Sequence, residues 1–126
     1  MEPAGRRRGM VIPAGVVVLV RFPFSDLSQT KLRPAVVLAD AGRGDWILSQ
    51  VTSQSYGDTQ AIILENSSFS TGSLRVRSYA RPGKLFTAHR DLIVSEVATL
   101  KPTALKQVID AVVNLLRTGS SSYGPS

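Results

Sequence analysis

Short runs of β-branched and other apolar residues alternate with turn-rich segments along most of this chain. Six of these runs have the length and composition of β-strands. They are Val16 to Phe24, Ala35 to Ala39, Asp45 to Thr52, Gln60 to Glu65, Leu74 to Arg77 and Leu92 to Ala98. Short strands at this spacing predict a compact β-barrel.

Two of the runs indicate which strand face is buried. From Val16 to Phe24 every second residue is apolar, and these residues share one face of the predicted strand. In the fifth run Leu74 and Val76 alternate with Arg75 and Arg77, so one face is buried and the other is solvated and cationic. Such a cationic face is suited to RNA or another polyanion.

The end of the chain has a different period. Pro102 stands near a helix start, and apolar residues then follow the spacing of one helical face. These residues are Leu105, Val108, Ile109, Val112, Leu115 and Leu116. We expect this amphipathic helix to cap the sheet core, and partner binding through the stripe is the alternative. Strands followed by one helix give a mainly β, α+β class.

The chain length of 126 residues corresponds to one domain. We assign the domain to residues 13–117 and predict flexible tails at 1–12, which is rich in arginine, and at 118–126, which is rich in glycine and serine. Lys and Arg number 15 against 9 Asp and Glu, giving a net charge of +6, which attracts polyanions. The first tail contains three arginines and one glutamate, so about +4 remains on the rest.

Composition also limits the chemistry. The chain contains no cysteine, which excludes disulfides and thiolate nucleophiles, and His89 is its only histidine, so we expect no metal and no cofactor. His89 itself we interpret as a solvated turn residue rather than an acid–base catalyst. The longest apolar run, Val16 to Val20, is far shorter than the ~20 residues that span a bilayer. We therefore predict a cytoplasmic protein without a membrane association.

Two polar clusters remain as candidate chemistry. The loop Ser25 to Lys31 runs through Arg33 into an apolar strand that Pro34 should begin, because proline cannot donate a ladder hydrogen bond. The planar guanidinium of Arg33 suits a phosphate, although a surface arginine at a strand end is the simpler interpretation. The cluster Thr52 to Ser55 follows another strand, and alone it reads equally well as a turn.

Several segments stand in a specific order along the chain. They are Gly15 leading into Val17 to Phe24, Lys31 to Leu38, Gln50 to Gln54, Gly72 to Ser78 and Lys84 to Thr87. This order resembles the MazF and PemK family of toxins from bacterial toxin–antitoxin pairs, over roughly Pro13 to Leu116. Arg33-Pro34-Ala35-Val36-Val37-Leu38 is the most specific part of the resemblance.

The resemblance implies a small SH3-like β-barrel of the CcdB, PemK and MazF type. It also implies a metal-independent endoribonuclease that cuts single-stranded RNA, mRNA above all, forms a homodimer and is silenced by a cognate antitoxin. Arg33 and Thr52 match the family's catalytic positions. The candidate RNA-binding residues are Lys31, Ser53, Gln54, Phe24, Arg77 and Ser78. We hypothesise that the ribose 2′-hydroxyl attacks its own phosphodiester, so that the nucleophile belongs to the substrate.

The sequence leaves two alternatives to the nuclease open. CcdB toxins share the barrel and act by gripping DNA gyrase without chemistry, and fold alone does not separate the two classes. A barrel that binds RNA without cutting it is a third interpretation. Phe24, Tyr56 and Tyr79 are available to stack on bases, with packing as the alternative that we favour for Phe24.

Overall fold

The computed structural model describes residues 11–23 and 30–120, which form one antiparallel sheet and one helix. The strands are β1 Val16–Pro23, β2 Thr30–Gly42, β3 Asp45–Thr52, β4 Ile62–Leu64, β5 Phe69–Gly72, β6 Ser78–His89 and β7 Ile93–Leu100. The helix is α1 Pro102–Thr118, and short 3₁₀ turns cover Asn66–Ser68 and Arg90–Leu92. Most of both predicted tails lies outside the described residues, as do Phe24 and residues 25–29.

The strands pair in the order β4-β6-β3-β2-β1-β7-β5, and the sheet curls into a half-barrel. The mainly β class, the SH3-like barrel and the terminal helix are thereby confirmed. Because β2 and β3 lie near the middle of this order, each is paired on both sides. Both strands that carry the candidate catalytic residues are therefore interior strands of the sheet, with Arg33 paired to β1 and Thr52 paired to β6.

Both faces of the central strands are buried, because their apolar residues are nearly continuous rather than strictly alternating. Val17 and Val36 pack with Val108 into a core between the sheet and α1, which we call the helix-side core. Val18 and Val37 pack into a second core on the opposite face. The alternation of apolar residues predicted for the first strand is thus correct for one face and leaves out the burial of Val17 on the other.

The prediction that Pro34 begins its strand is wrong. β2 starts at Thr30, and Pro34 stands opposite Leu19 of β1 inside the strand. Pairing of β2 with β3 begins only at Ala35, opposite Gln50. Pro34 therefore occupies a part of β2 that has one neighbouring strand rather than two, where a missing N–H is tolerated. Arg33 consequently lies within the strand and not at its junction with a loop.

Two further strand predictions are corrected. Residues 74–77 are not a strand, and the short β5 at Phe69–Gly72 precedes them. Residues 78–89, which sequence reasoning left without a strand, form the long β6. Within β6 the four residues 81–84 face the single residue Gln50 of β3, since Ala80 pairs with Val51 and Leu85 with Ser49. This bulge carries Pro82 and Gly83, which mask the strand in the sequence.

Helix α1 caps the sheet as predicted. Its buried residues Ala104, Val108 and Val112 are spaced by four, and the left-handed Gly119 ends the helix with an N–H that donates to Leu115 O at 2.9 Å. Leu116, which was predicted on the apolar face, is exposed instead. Among the residues that the structure describes, no helix is long and apolar enough to cross a membrane.

Candidate active site

A groove of about 360 Å³ opens at the end of the sheet where β2 begins and β3 ends. Its lining brings together most of the residues that the sequence put forward as catalytic or RNA-binding. These are Lys31, Arg33, Thr52, Ser53, Gln54 and Ser78. Residues that are far apart in the sequence thus meet at one place, which a set of unrelated surface residues would not do.

Strand register explains why Arg33 and Thr52 meet. The alignment of β2 and β3 is given by opposite residues, Ala35 with Gln50 and Val37 with Leu48. The same alignment, continued by two residues past the last pair, sets Arg33 across from Thr52 on the same sheet face. Arg33 is half-buried at this position, and its backbone belongs to a strand rather than to a loop.

The hydroxyl of Thr52 is oriented by its own turn. The backbone N–H of Gln54 donates to Thr52 Oγ1 at 3.1 Å. This bond uses the oxygen as an acceptor and leaves the hydroxyl proton able to donate to a ligand. It also fixes the direction in which the chain leaves β3, so that Ser53 and Gln54 follow Thr52 along the groove. The sequence cluster that reads alone as a turn is therefore a turn inside the groove.

Two residues of the opposite wall are not among the site residues predicted from the sequence, which gave Tyr56 only as available for stacking and Arg75 only as part of a cationic face. Arg75 lies on the segment between β5 and β6, and Tyr56 on the loop between β3 and β4; both are exposed and both line the groove. Gly72 turns the chain into the first of these segments with φ of 66°, and a Cβ there would lie 2.5 Å from Val97 O. The alternation of Leu74 with Arg75 was the available signal, since Leu74 packs on the helix-side core.

The remaining predicted RNA-binding residues are placed less favourably. Ser78 lines the groove but is buried, and its hydroxyl donates to Val76 O at 2.9 Å, so its proton is already used. Arg77 is not part of the lining; its guanidinium lies 3.8 Å from the Glu65 carboxylate. Phe24 lies outside the described residues. Among the described residues, Arg75 takes the groove position that the sequence analysis gave to Arg77.

The charge of the lining distinguishes this groove from a larger one. Lys31, Arg33 and Arg75 line it without an accompanying carboxylate among the described lining residues. The larger groove, of about 450 Å³ between β4 and α1, has Glu65 as its only charged lining residue within the described part of the chain. A polyanion is attracted to cations, and only the smaller groove has them among its described lining residues, so the smaller groove is the candidate site.

Comparison with solved structures identifies the fold. The chain is similar to MazF of Deinococcus radiodurans, with a TM-score of 0.68 and 23% identity over 86% of this chain and 99% of that one. The MazE–MazF complex of the same organism gives 0.68 and 21%, over 86% and 98%. An endoribonuclease from a mycobacterial species, solved with its cognate antitoxin, gives 0.62 and 14%, over 86% and 96%.

Sequence comparison identifies the family. No curated protein matches the chain in sequence. Residues 14–116, however, match the model of the family described as PemK-like, MazF-like toxin of type II toxin-antitoxin system. The matched range contains every strand, most of the helix and both walls of the groove. This chain therefore belongs to the PemK-like and MazF-like toxins of type II toxin–antitoxin systems.

Proposed function

We propose that this toxin is a metal-independent, sequence-selective endoribonuclease that cuts single-stranded RNA in the cytoplasm. The observation that carries the proposal is that Arg33 and Thr52 line one basic groove, just beyond the point where the pairing of β2 with β3 ends. Family membership supports the same activity, since similar structures are described as endoribonucleases. The gyrase-binding alternative is not favoured, because the family that matches is not that of CcdB.

The reaction would use a nucleophile supplied by the substrate. The ribose 2′-oxygen attacks the adjacent phosphorus, its proton passes to solvent, and the bond from phosphorus to the 5′-oxygen breaks. That oxygen takes up a proton and leaves as a 5′-hydroxyl, while the other product carries a 2′,3′-cyclic phosphate. The protein then needs to align the attacking oxygen with the leaving group and to stabilise the charge on phosphorus.

Arg33 would supply the charge stabilisation. A guanidinium keeps its charge under all physiological conditions and presents two parallel donors that match two phosphate oxygens. For the same reason it is a poor proton donor, so we assign it an electrostatic role rather than general acid catalysis. Its half-buried position on a central strand holds the donors where charge develops without reorganisation during the reaction.

Thr52 would orient the substrate. Its hydroxyl proton can donate to the scissile phosphate while its oxygen remains held by the N–H of Gln54. The exposed amide side chain of Gln54 lies next in the groove and can pair with a base edge. Base edges are accessible in single strands and hidden in the deep major groove of A-form duplexes, which favours single-stranded RNA as the substrate. Lys31 would bind a neighbouring phosphate.

Two partners belong to the same proposal. The similar structures include MazF bound to MazE and an endoribonuclease bound to its cognate antitoxin. We extend this to the present chain and propose an antitoxin that covers the basic groove. We also propose a homodimer with a two-fold axis, in which each subunit contributes its own groove.

The test is cleavage of a long single-stranded RNA by the purified toxin in EDTA, with new ends mapped by primer extension and their chemistry determined. We expect discrete sites with 5′-hydroxyl ends. A second substrate carries one 2′-deoxy sugar at a mapped site, and cleavage there should disappear while the other sites are still cut. Cleavage at the deoxy position would rule out attack by the 2′-hydroxyl. Absence of any cleavage by folded, antitoxin-free protein would contradict the enzymatic function.

A further inference from the structure

Tyr56 has an unusual position for an aromatic residue. It is 66% exposed, although it lines the groove beside the candidate catalytic residues. Its backbone is left-handed with φ of 54°, and Gly57 follows with φ of 68°. A bulky residue in this region is strained by on the order of 1 kcal/mol and persists where surrounding contacts determine the conformation. The Tyr56 ring is therefore exposed at the edge of the groove, while the backbone that carries it is in a strained conformation.

The contacts that hold this conformation converge on Arg81. Its Nε donates to Asp58 Oδ2 at 3.1 Å, and its guanidinium carbon lies 5.2 Å from the centre of the Tyr56 ring. The pair is largely shielded, with side-chain exposures of 20% for Arg81 and 14% for Asp58. The attraction between the two charges is stronger here than in open solvent, because less water screens them. One face of the Tyr56 ring is thus covered by a cation that is itself anchored.

Asp58 makes three hydrogen bonds within the same loop. Its backbone N–H donates to Ser55 O at 2.9 Å, and its carbonyl accepts from Ala61 N at 3.2 Å. Its second carboxylate oxygen, Oδ1, accepts from Gln60 N at 2.9 Å. The carboxylate therefore bridges the loop backbone and the Arg81 side chain. Loss of Arg81 would release the loop from the sheet without removing any residue that lines the groove.

Arg81 is in turn fixed by the sheet. It is the first residue of the bulge in β6, and its carbonyl accepts a hydrogen bond of 2.7 Å from the hydroxyl of the fully buried Ser49. Ser49 belongs to β3, three residues before Thr52. The strand that presents the candidate catalytic hydroxyl thus also anchors the arginine beneath the tyrosine, which couples the two walls of the groove through rigid elements.

We infer that Tyr56 is a stacking platform for an unpaired nucleobase in the groove and that Arg81 is a positioning residue for it. Arg81 covers one face of the ring, and the exposed remainder receives the base. An aromatic face binds any base by stacking, and a guanidinium on the far side adds a favourable contact without direct contact with RNA. This inference rests on the proposed function, because it assigns the base next to the cleaved phosphate a place to bind.

The experiment is a double-substitution cycle on RNA binding in an Arg33→Ala background, in which the RNA stays intact. The probe is a short, labelled, single-stranded RNA of mixed sequence, and the readout is its Kd by fluorescence anisotropy. We expect Tyr56→Ala to weaken binding about tenfold. Tyr56→Phe should stay within about twofold, since stacking needs the ring and not the hydroxyl. Loss of binding in Tyr56→Phe would overturn the stacking role.

Arg81 is tested in the same cycle. Arg81→Leu should weaken binding, and adding it to Tyr56→Ala should weaken binding no further, because Arg81 acts only through the ring. Additive losses would overturn the positioning role. The slope of log Kd against log salt should be unchanged in Arg81→Leu, whereas a direct phosphate contact would lower it by about 0.7. Thermal unfolding of each variant identifies any loss that comes from a damaged fold.

Failure of this inference and failure of the proposed function give different results. Wild-type protein that cleaves RNA while Tyr56→Ala binds as tightly as its parent overturns the inference alone. Wild-type protein that binds RNA without cutting it overturns the enzymatic function, and the substitution cycle still tests whether Tyr56 stacks on a base. Wild-type protein that binds no RNA contradicts both. Val113→Ala, an exposed apolar substitution on α1 away from the groove, is the matched control and should leave Kd unchanged.

Discussion

The two walls of the groove are built from different kinds of structure. Arg33 and Thr52 lie on β2 and β3, where Arg33 is paired to β1 and Thr52 to β6, and both strands have buried residues on both faces. Tyr56 and Arg75 lie on connecting segments, and Tyr56 depends on turn hydrogen bonds and the contacts of Arg81. One wall belongs to the sheet itself, and the other consists of connecting segments held by turn hydrogen bonds and side-chain contacts.

This difference suggests that the two walls have different roles. Groups that stabilise a transition state must be fixed to within a fraction of an ångström, which central strands achieve better than loops. Groups that bind flexible single strands gain from side chains that extend into solvent. We therefore expect Arg33 and Thr52, on the strands, to determine the rate of cleavage. Tyr56 and Arg75, on the connecting segments, should determine affinity and base preference. Three substitutions test these roles.

Arg33→Ala should have the largest effect. Removing a donor aimed at the developing charge typically lowers the rate by about 10²–10³, and we expect that loss in single-turnover cleavage. The Kd for intact RNA should change by much less, because the interaction strengthens in the transition state. Arg117→Ala, an exposed arginine at the end of α1, removes the same charge elsewhere and should keep the wild-type rate. An Arg33→Ala protein that binds RNA more weakly but cleaves at the wild-type rate would contradict the different roles of the two walls.

Thr52→Val should have an intermediate effect. The replacement keeps the shape of the side chain and removes the hydroxyl, at a cost of about 1.5–3 kcal/mol for a hydrogen bond to a charged phosphate. This corresponds to a rate about 10- to 100-fold slower. Thr52→Ser retains the hydroxyl and should restore most of the activity in the same cleavage assay. A Thr52→Val protein that cuts at the wild-type rate would remove Thr52 from the mechanism.

Arg75→Ala should have the smallest effect and should act on binding alone. Loss of one phosphate contact lowers the slope of log Kd against log salt by about 0.7, and the cleavage rate at saturating RNA should be unchanged. Arg77→Ala removes an equal charge two residues away, where the side chain pairs with Glu65 outside the groove, and should leave the slope intact. The opposite result would restore Arg77 as the RNA contact predicted from the sequence.

The elements that could be predicted are those whose sequence pattern agrees with their final environment. Asp45 to Thr52 was predicted with its observed bounds, and the apolar residues Val108 and Val112 indicated the helix face that is buried. β6 was missed because Pro82 and Gly83 occur in its middle, and only pairing with β3 tolerates them as a bulge. The start of β2 was misplaced because the sequence around Pro34 does not reveal that only β1 pairs with the strand there.

The candidate site was predicted through residue order and family resemblance, and its geometry was not. Arg33 and Thr52 were named as a pair, while the strand register that aligns them required the fold. Arg81 was not predicted as a site residue, since its two partners, Asp58 and Tyr56, are more than twenty residues away in the sequence. Long-range contacts of this kind leave no local signal, because neither periodicity nor turn composition depends on them.

The hairpin of β2 and β3 has one more consequence. Since it lies near the centre of the sheet, separating its strands would require the whole domain to unfold, whereas the segments around Tyr56 and Arg75 can change without such a cost. Mutation can therefore vary the length and residues of those segments while the positions of Arg33 and Thr52 are kept. Under the proposed function, descendants of one toxin can in this way acquire different cleavage sequences and keep the same reaction.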